Sequence, residues 1–500
     1  MNFIPPVDKT EFTARQKKLQ KLLKSGINPY QNFFVPEHSI VHFLQYAQNK
    51  TTEELLAKKV FCSIAGRILI IRNLGTIKFI QIQDATGKIQ LFLENVPSTA
   101  TLFSESANWD RGDVIGIPKG FLTRSKTNEV TICPVQIILL AKSLLPLPNK
   151  FQGLTDIELR YRKRYLDLLL NADSKRVFLE RSRILQAIRY FLNQADFLEV
   201  STPILHPILG GAAARPFRTH HLVLKMPLYL RVAPELYLKR LIVGGLPKVY
   251  ELGRVFRNEG MSTQHNPEFT ILEVYQAFAN METMMEFTEN LFCHIADAVY
   301  QKRTFQFKKH TFELKKPFIK STMVELVQTQ TGIDFLQIKD FAAAETIAKQ
   351  HNISLLPHEN TVGHVLNLFF EKLVQSTLQQ PTFVYQYPRS ISPFAKLSAN
   401  NPDFTDRFEL FIAGTEYANA FSELNDPFDQ QERLEAQLKE QKLGNEEANE
   451  VDWDYIESLH YGMPPTGGLG IGIDRLIMFF TNSPSIKDVI LFPTLKPNKS

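Results

Sequence analysis

Cysteine is scarce in this chain: 500 residues hold only Cys62, Cys133 and Cys293, with no CxxC pair. That excludes a disulfide framework and a cysteine-built zinc site, and it fits a reducing compartment. No apolar run approaches the length of about 20 residues that a membrane-spanning helix needs, so no membrane partner is expected. The N-terminus carries Asp8 and Glu11 and lacks the apolar core of a secretory signal. Repeats and low-complexity tracts are missing. Neither the Walker-type Lys-Ser/Thr nor the dinucleotide GxGxxG occurs. There is no Ser/His or Cys/His arrangement, and His294, His310, His351, His358 and His364 lack metal-ligand spacing. A strong charge of one sign is absent too: at a net +5, any nucleic-acid role must rest on local patches. What is left is a cytoplasmic protein of two to four domains, whose 44% hydrophobic content suffices for substantial cores.

What is present is chemistry concentrated on one stretch, Lys248 to Ala279, KVYELGRVFRNEGMSTQHNPEFTILEVYQAFA. It reads as two strands joined by GMSTQHNPE, a loop whose Gly, Ser, Asn and Pro suit a long hairpin connection. Alternation in the second strand puts Thr270, Leu272, Val274 and Phe278 on one face, and Phe269, Ile271, Glu273 and Tyr275 on the other. Arg257, Glu259, Phe269, Glu273 and Tyr275 thus set charge and aromatic surface where a structural strand carries Val or Ile. Such groups are costly to bury unless paired. Either this is a solvated sheet face or it lines a ligand site. The density of Arg, Glu, His and Phe around one loop favours the site.

In chain order, residues 1–58 read as an N-terminal helical segment. Its basic helix EFTARQKKLQKLLKS, ended by Gly26, offers Arg15, Lys17, Lys18, Lys21 and Lys24 either to a phosphate backbone or simply to solvent. Residues 59–143 carry five short strands with Asp84-Ala-Thr-Gly87 as a tight turn, which fits a closed barrel of the OB type. Barrels of that type bind single-stranded nucleic acid by stacking and basic contacts. Phe79 offers a ring, Arg72 a charge, and Gln90 and Glu129 hydrogen-bonding edges, although each also suits an ordinary strand position. Residues 144–173, opening with LLPLPNKFQG, read as a linker.

From 174 to 500 the chain reads as one mixed α+β domain. It opens with a long helix whose Val177, Ile184, Ile188, Phe191 and Leu192 face a core. FLEVSTPIL is extended, with Pro203 at an edge where a subunit contact could form. GGAAARPF (210–217) is a small-residue turn that lets a ligand approach the backbone or merely connects elements. APELYLKRLIVGG is a helix, with Glu235 in the first turn that the helix dipole favours. Residues 300–400 form a helical or irregular insertion without legible chemistry. In RFELFIAGTEYANAFSELND, Arg407, Glu409 and Phe411 share one strand face. Strict alternation sets Glu416 opposite Asn419, Phe421 and Glu423, so all four serve one site only if the strand bulges between Glu416 and Asn419. Two carboxylates flanking a turn suit a magnesium-phosphate cradle, or are plain exposed acids. Finally, GGLGIGIDRLIMFF leaves one strand face bare at Gly468, Gly470 and Gly472, and enters a helix with Asp474 and Arg475 in its first turn. The bare face admits a flat group that Arg475 can stack on, or serves tight strand–helix packing.

With these residues quoted, the chain resembles the class II aminoacyl-tRNA synthetases and, within them, the lysyl-tRNA synthetase family. FLEVSTPIL, FRNEGMSTQHNPEF and GGLGIGIDR look like the three class motifs in order. GGAAARPF, APELYLKRL, YRKRYLDLL and NAFSELND look like lysyl signatures, so the likeness covers nearly everything from the barrel onward. The resemblance implies an OB-type anticodon domain before an antiparallel sheet flanked by helices, and a homodimer formed through the Pro203 region. It implies lysine and ATP as substrates, tRNA(Lys) as partner and up to three magnesium ions per site. Carried over by motif position, Arg257 bridges the α-phosphate and the substrate carboxylate. Glu259 reads the adenine edge, Phe269 and Arg475 sandwich its ring, and His265 and Asn266 hold the triphosphate. Glu409 and Glu416 hold magnesium. Gly211 and Glu235 take the α-amino group of lysine, Asn419 its carboxylate end, and Tyr275, Glu423 and nearby Glu273 its ε-ammonium, with Phe421 in the same pocket. Phe79, Gln90 and Glu129, assisted by Arg72, match readers of the central anticodon uridine.

Some positions depart from the family pattern. Ala418 and Ala420 replace glycines and are expected to reshape the amino-acid pocket. Gln264 stands for an arginine, and Asp196 for the glycine before Phe197. The rivals are aspartyl- and asparaginyl-tRNA synthetases; an aspartate pocket needs cationic side chains, whereas Glu235, Glu273 and Glu423 are acidic, and both are disfavoured. An enzyme that lysylates an elongation factor is another, but it lacks the front barrel. A regulatory relative is expected to have lost Arg257, Arg475 or a magnesium ligand, and all are present.

Overall fold

The computed structural model describes residues 9–148 and 154–497; expectations for 1–8 and for the 149–153 part of the linker lie outside the described residues. The chain divides into two compact units, Met1–Gly153 and Leu154–Ser500.

In the first unit, helix Lys9–Lys24 is followed by Ile40–Ala47 and Thr52–Lys58, the last opened by a reciprocal Thr51–Glu54 capping box. Strands Phe61–Asn73, Ile77–Gln83, Lys88–Glu94, Val114–Arg124 and Val130–Ala141 then close into the expected barrel, the last two swapped in spatial order. Strict alternation drives the closure. Ile80, Ile82, Ile89, Leu91 and Leu93 point inward to meet Ile64, Ile68, Ile115 and Ile117, each buried side chain being worth about 1.5–3 kcal/mol. One expectation fails here. Arg15 is buried, pairs with Glu11 and donates to the carbonyls of Arg111, Ser143 and Leu145, so it fastens the helix to the barrel rather than meeting a phosphate. Lys18 is likewise spent on Asp110 at 2.6 Å.

The second unit is built on an eight-stranded sheet. Its order is Ile319–Thr322, Thr382–Pro388, Phe404–Ile412, Thr415–Ser422, Thr466–Gly472, Glu268–Ala277, Lys248–Phe256 and Leu198–Glu199. All neighbours run antiparallel except the two outermost pairs. One face is sealed by helices Ala172–Gln194, Met281–Ile295 and Ile473–Thr481 over Leu272, Val274, Leu410, Leu469 and Ile471. The opposite face is left for the site. Phe278 does not join Leu272 and Val274, because the strand ends at Ala277 and Phe278, at positive φ, is 81% exposed. Ala418 and Ala420 are corrected too: both are fully buried on the helix-covered face, opposite Ile471 and Leu469, and so thicken the core rather than the amino-acid pocket. Asp196 takes φ 62°, the left-handed conformation that explains why glycine suits that position and why Asp is tolerated there.

The stretch 154–173, read as linker, instead carries helices Ile157–Arg162 and Arg164–Leu170. Arg164 is buried, pairs with Asp167 at 2.6 Å and donates to the carbonyls of Lys487, Ile490 and Leu491, which binds this stretch into the second unit. The signal was available in the alternation of Arg and Leu through YRKRYLDLLL, which two prolines upstream had overshadowed.

Candidate active site

On the open face of the sheet lies a cavity of about 620 Å³. Strand Glu268–Ala277 sends Phe269, Ile271, Glu273 and Tyr275 into it, as the alternation required, while Arg257, Glu259, His265 and Asn266 enter from the preceding loop. Gly211, Glu235, Glu409, Glu416, Asn419, Phe421 and Arg475 line it as well, whereas Glu423 is not among the lining residues and lies buried against Gly468. The expected bulge is present: Leu410 faces Ala418 but Phe411 faces Glu416, so Tyr417 is the extra residue that turns Glu416 to the side of Asn419.

At one end the charges are arginines. The Arg257 guanidinium lies 5.2 Å from the Phe269 ring centre, and its buried Nε has no partner. Arg475 donates to the carbonyl and Oε2 of Glu416 at 3.0 and 3.1 Å, and to His265 Nε2 at 3.1 Å. His265 in turn meets Ser262 through Nδ1, and burial with the neighbouring Arg475 charge lowers its pKa, so the ring stays neutral. Helix Ile473–Thr481 is aimed by Asp474, which accepts from Arg181 and from the Thr270 backbone N–H at 2.6 and 2.7 Å. Asn266 uses its amide on the Glu268 carbonyl and the Thr494 N–H, so it ties the loop down more than it faces the cavity.

Glu409 and Glu416 face each other's charge. Burial and Glu416 push Glu409 up to about 7, even though Arg407 donates to it at 2.6 Å. Two carboxylates that repel in one cavity fit a divalent cation that keeps substrate oxygens as its remaining ligands. Among the described residues no cluster of three or more His, Cys, Asp or Glu offers a fully protein-built metal site.

The other end is carboxylate-rich. Tyr275 donates to Glu273 at 3.1 Å, and burial together with Glu235 pushes Glu273 up to about 8. Glu235 lies 2.5 Å from the Lys239 ammonium, and Lys239 is also 2.5 Å from Glu423 Oε2. That second contact lacks hydrogen-bond alignment, and Glu423 Oε1 has no partner at all. This oxygen sits against Gly468, where an added Cβ would overlap it and would come within 2.7 Å of the Tyr275 ring. Gly468 is therefore required by the pocket itself. Gly470 and Gly472 have ordinary room beside them and leave a flat floor. Gly211, at φ 93°, packs its backbone against Glu235.

Sequence reasoning missed several wall residues. Arg407 donates to Asn419 Oδ1, Glu409 and Ser392 Oγ, and stacks 4.4 Å from the Tyr387 ring centre. Residues 300–400, read as a helical or irregular insertion without chemistry, instead supply two strands of the sheet, Ile319–Thr322 and Thr382–Pro388, and line the cavity with Glu371, Ile391, Ser392, Pro393, Phe394 and Ala395. Arg407 was visible on the right strand face; the 391–395 loop has no pattern that would have revealed it. On the barrel, Arg72 and Glu129 are exposed, and Phe79 and Gln90 half-buried. Arg72 pairs with Phe79 across strands, Phe79 with Phe92, and Gln90 donates to Thr131 at 3.1 Å. Phe92, on the same strand face as Gln90, adds a second partly exposed ring 5.3 Å from Phe79.

The family described as tRNA synthetases class II (D, K and N) matches residues 156–496, and the OB-fold nucleic acid binding domain family matches 62–140. The chain is 48% identical over 486 residues to a lysine–tRNA ligase of Bacillus subtilis (strain 168), covering 97% of each. It is 49% identical over 490 residues to one of Staphylococcus aureus (strain MRSA252), covering 97% of this chain and 98% of the other.

Proposed function

The chain belongs to the class II tRNA synthetases (D, K and N), and on that premise we propose that it activates L-lysine with ATP and transfers it to tRNA(Lys). The observation that carries the lysine assignment is the unpartnered Glu423 Oε1, buried beside Tyr275 and Glu273. A desolvated ammonium needs anionic partners, and a buried carboxylate oxygen with no partner is stabilised by an ammonium. The same group penalises uncharged analogues, and it repels aspartate.

Adenylation needs positioning and charge neutralisation rather than a proton-transfer residue. The lysine carboxylate attacks the α-phosphorus, and the bond to pyrophosphate breaks. Arg257 neutralises both reacting groups, Phe269 and Arg475 flank the adenine and Glu259 reads its edge. Arg475 leaves Glu416 for the nucleotide, and His265 supports the phosphates. Glu409 and Glu416 would hold magnesium, up to three ions with phosphate oxygens as the other ligands. When bound, the metal neutralises phosphate charge. Gly211 and Glu235 receive the α-amino group, and Asn419 with Phe421 forms the wall beside the carboxylate end. The 3′-hydroxyl of tRNA then attacks the adenylate carbonyl and releases AMP. Arg72, Phe79, Gln90 and Glu129 read the anticodon.

The edge strand Leu198–Glu199 and Pro203 fit a homodimer contact. Thr202, ahead of Pro203, is pinned by hydrogen bonds to the buried Glu251. No helix among the described residues is long and apolar enough to cross a membrane, and a cytoplasmic translation enzyme is the reading that follows. Charging of a tRNA(Lys) transcript with labelled lysine tests the proposal. Acid-precipitable label on the RNA that is released by mild alkali is the expected result; charging with aspartate or asparagine instead would refute it.

A further inference from the structure

We propose that Lys239 is a fixed internal cation that sets the charge of the amino-acid pocket to match the two ammonium groups of lysine, and holds Glu235 and Glu423 oriented for substrate lysine. The inference rests on the lysine reading above and deepens it.

Lys239 comes from the second turn of helix Glu235–Val243 and is fully buried. Its ammonium sits 2.5 Å from a carboxylate oxygen of Glu235, one turn back, and 2.5 Å from Oε2 of the fully buried Glu423, which follows strand Thr415–Ser422. The rings of Phe394, Phe421 and Tyr455 enclose it, with centres 4.8, 5.4 and 5.8 Å away. The charged and titratable groups facing it are Glu235 on its own helix, Glu273 from strand Glu268–Ala277, Glu423, and Tyr455 from helix Trp453–His460, with Tyr275 acting on the same three carboxylates. The Arg407 charge also acts on Glu235. The adjacent Arg240 turns away to Asp452 and Asp454.

Once bound lysine has displaced the proton of Glu273, the carboxylates of Glu235, Glu273 and Glu423 hold three negative charges against the two ammonium groups of lysine, whose own carboxylate is met by Arg257. Lys239 supplies the missing positive charge, leaving a deficit equal to the two ammonium groups of lysine. It also divides Glu423: Oε2 is held by Lys239, while Oε1 stays free beside Tyr275. Substrate lysine and Lys239 thus share one carboxylate from opposite sides. Without Lys239 the three carboxylates repel one another in a desolvated pocket and hold protons at neutral pH, which removes the charge that substrate needs.

The test compares Lys239→Met with wild type in lysine-dependent ATP–pyrophosphate exchange at pH 7 and pH 9, with thermal melting as a control. The expected result is a lysine KM raised about 30-fold at pH 7 and less than about 5-fold at pH 9, as the carboxylates regain charge, with the KM for ATP unchanged. Glu235→Gln/Lys239→Met restores the charge count and is expected to show a ratio to wild type that no longer depends on pH. A Lys239→Met ratio near one, or a loss equal at both pH values and shared with ATP, overturns the inference. If Lys239→Met does not melt cooperatively, Lys239→Arg carries the test: a ratio that is the same at both pH values supports the charge role, and one that shrinks with pH contradicts it. Absence of lysine-dependent exchange by wild type would instead refute the lysine reading itself.

Discussion

The two ends of the cavity handle buried charge in opposite ways. At the nucleotide end Arg257 is left with an unpartnered Nε, and Arg475 rests on Glu416 and His265, side chains that a nucleotide can displace. At the amino-acid end the charges are carboxylates, and one is already neutralised by a lysine of the chain itself. The first end is open to polyanions of varied shape and tuned by movable partners. The second is buried and internally paired, and under the proposed function specificity resides there.

The contrast can be broken from either side. Removing the anion-binding group acts on chemistry: Arg257→Ala is expected to lower kcat/KM for pyrophosphate exchange about 10³-fold, chiefly in kcat, a loss typical of one preorganised charge donor. Removing the specificity group acts on binding. Glu423→Gln is expected to raise the lysine KM about 10²-fold, with kcat within a few fold, since it leaves a buried ammonium short of its counter-charge. Steady-state exchange with each substrate varied in turn distinguishes the two. If both variants lost kcat equally, the division between the ends would be wrong.

A change outside the cavity sharpens the comparison. Phe79→Ala on the barrel is expected to raise the KM for tRNA about tenfold while leaving pyrophosphate exchange intact, the loss of one stacked base. An equal loss in both assays would remove the barrel from tRNA reading.

The smallest effect is a proton. Glu273 is raised to about 8, by burial first and then by Glu235. A bound ammonium favours its ionised form, so lysine binding at pH 7 releases a proton and tightens as pH rises towards 8. The KM is expected to fall about fivefold between pH 7 and 8.5 in wild type. In Glu273→Gln that fall should disappear; its persistence would place the proton elsewhere.

Much of this was legible beforehand. The alternation in FTILEVY gave the cavity-facing set Phe269, Glu273 and Tyr275, and the mismatch between Glu416 and Asn419 required the bulge found at Tyr417. Phe278 was misplaced because nothing local announces that the strand stops one residue earlier. Ala418 and Ala420 were assigned to the wrong face because their closeness to Asn419 in sequence was taken for closeness to the pocket. Lys239 escaped notice because a lysine at i+4 from a glutamate is ordinarily an exposed helix pair. Its second partner, Glu423, is distant in sequence, and only the fold brings the two together. The 391–395 wall is likewise tertiary: Arg433 holds the Ser392 and Ala395 carbonyls, and no local motif predicts that.

The central claim is that one cavity pairs a nucleotide with a cationic amino acid. Its most direct test is ATP–pyrophosphate exchange by the purified protein with each of the twenty amino acids. The account predicts exchange with lysine and near-background rates with aspartate and asparagine; exchange with aspartate and none with lysine would contradict it.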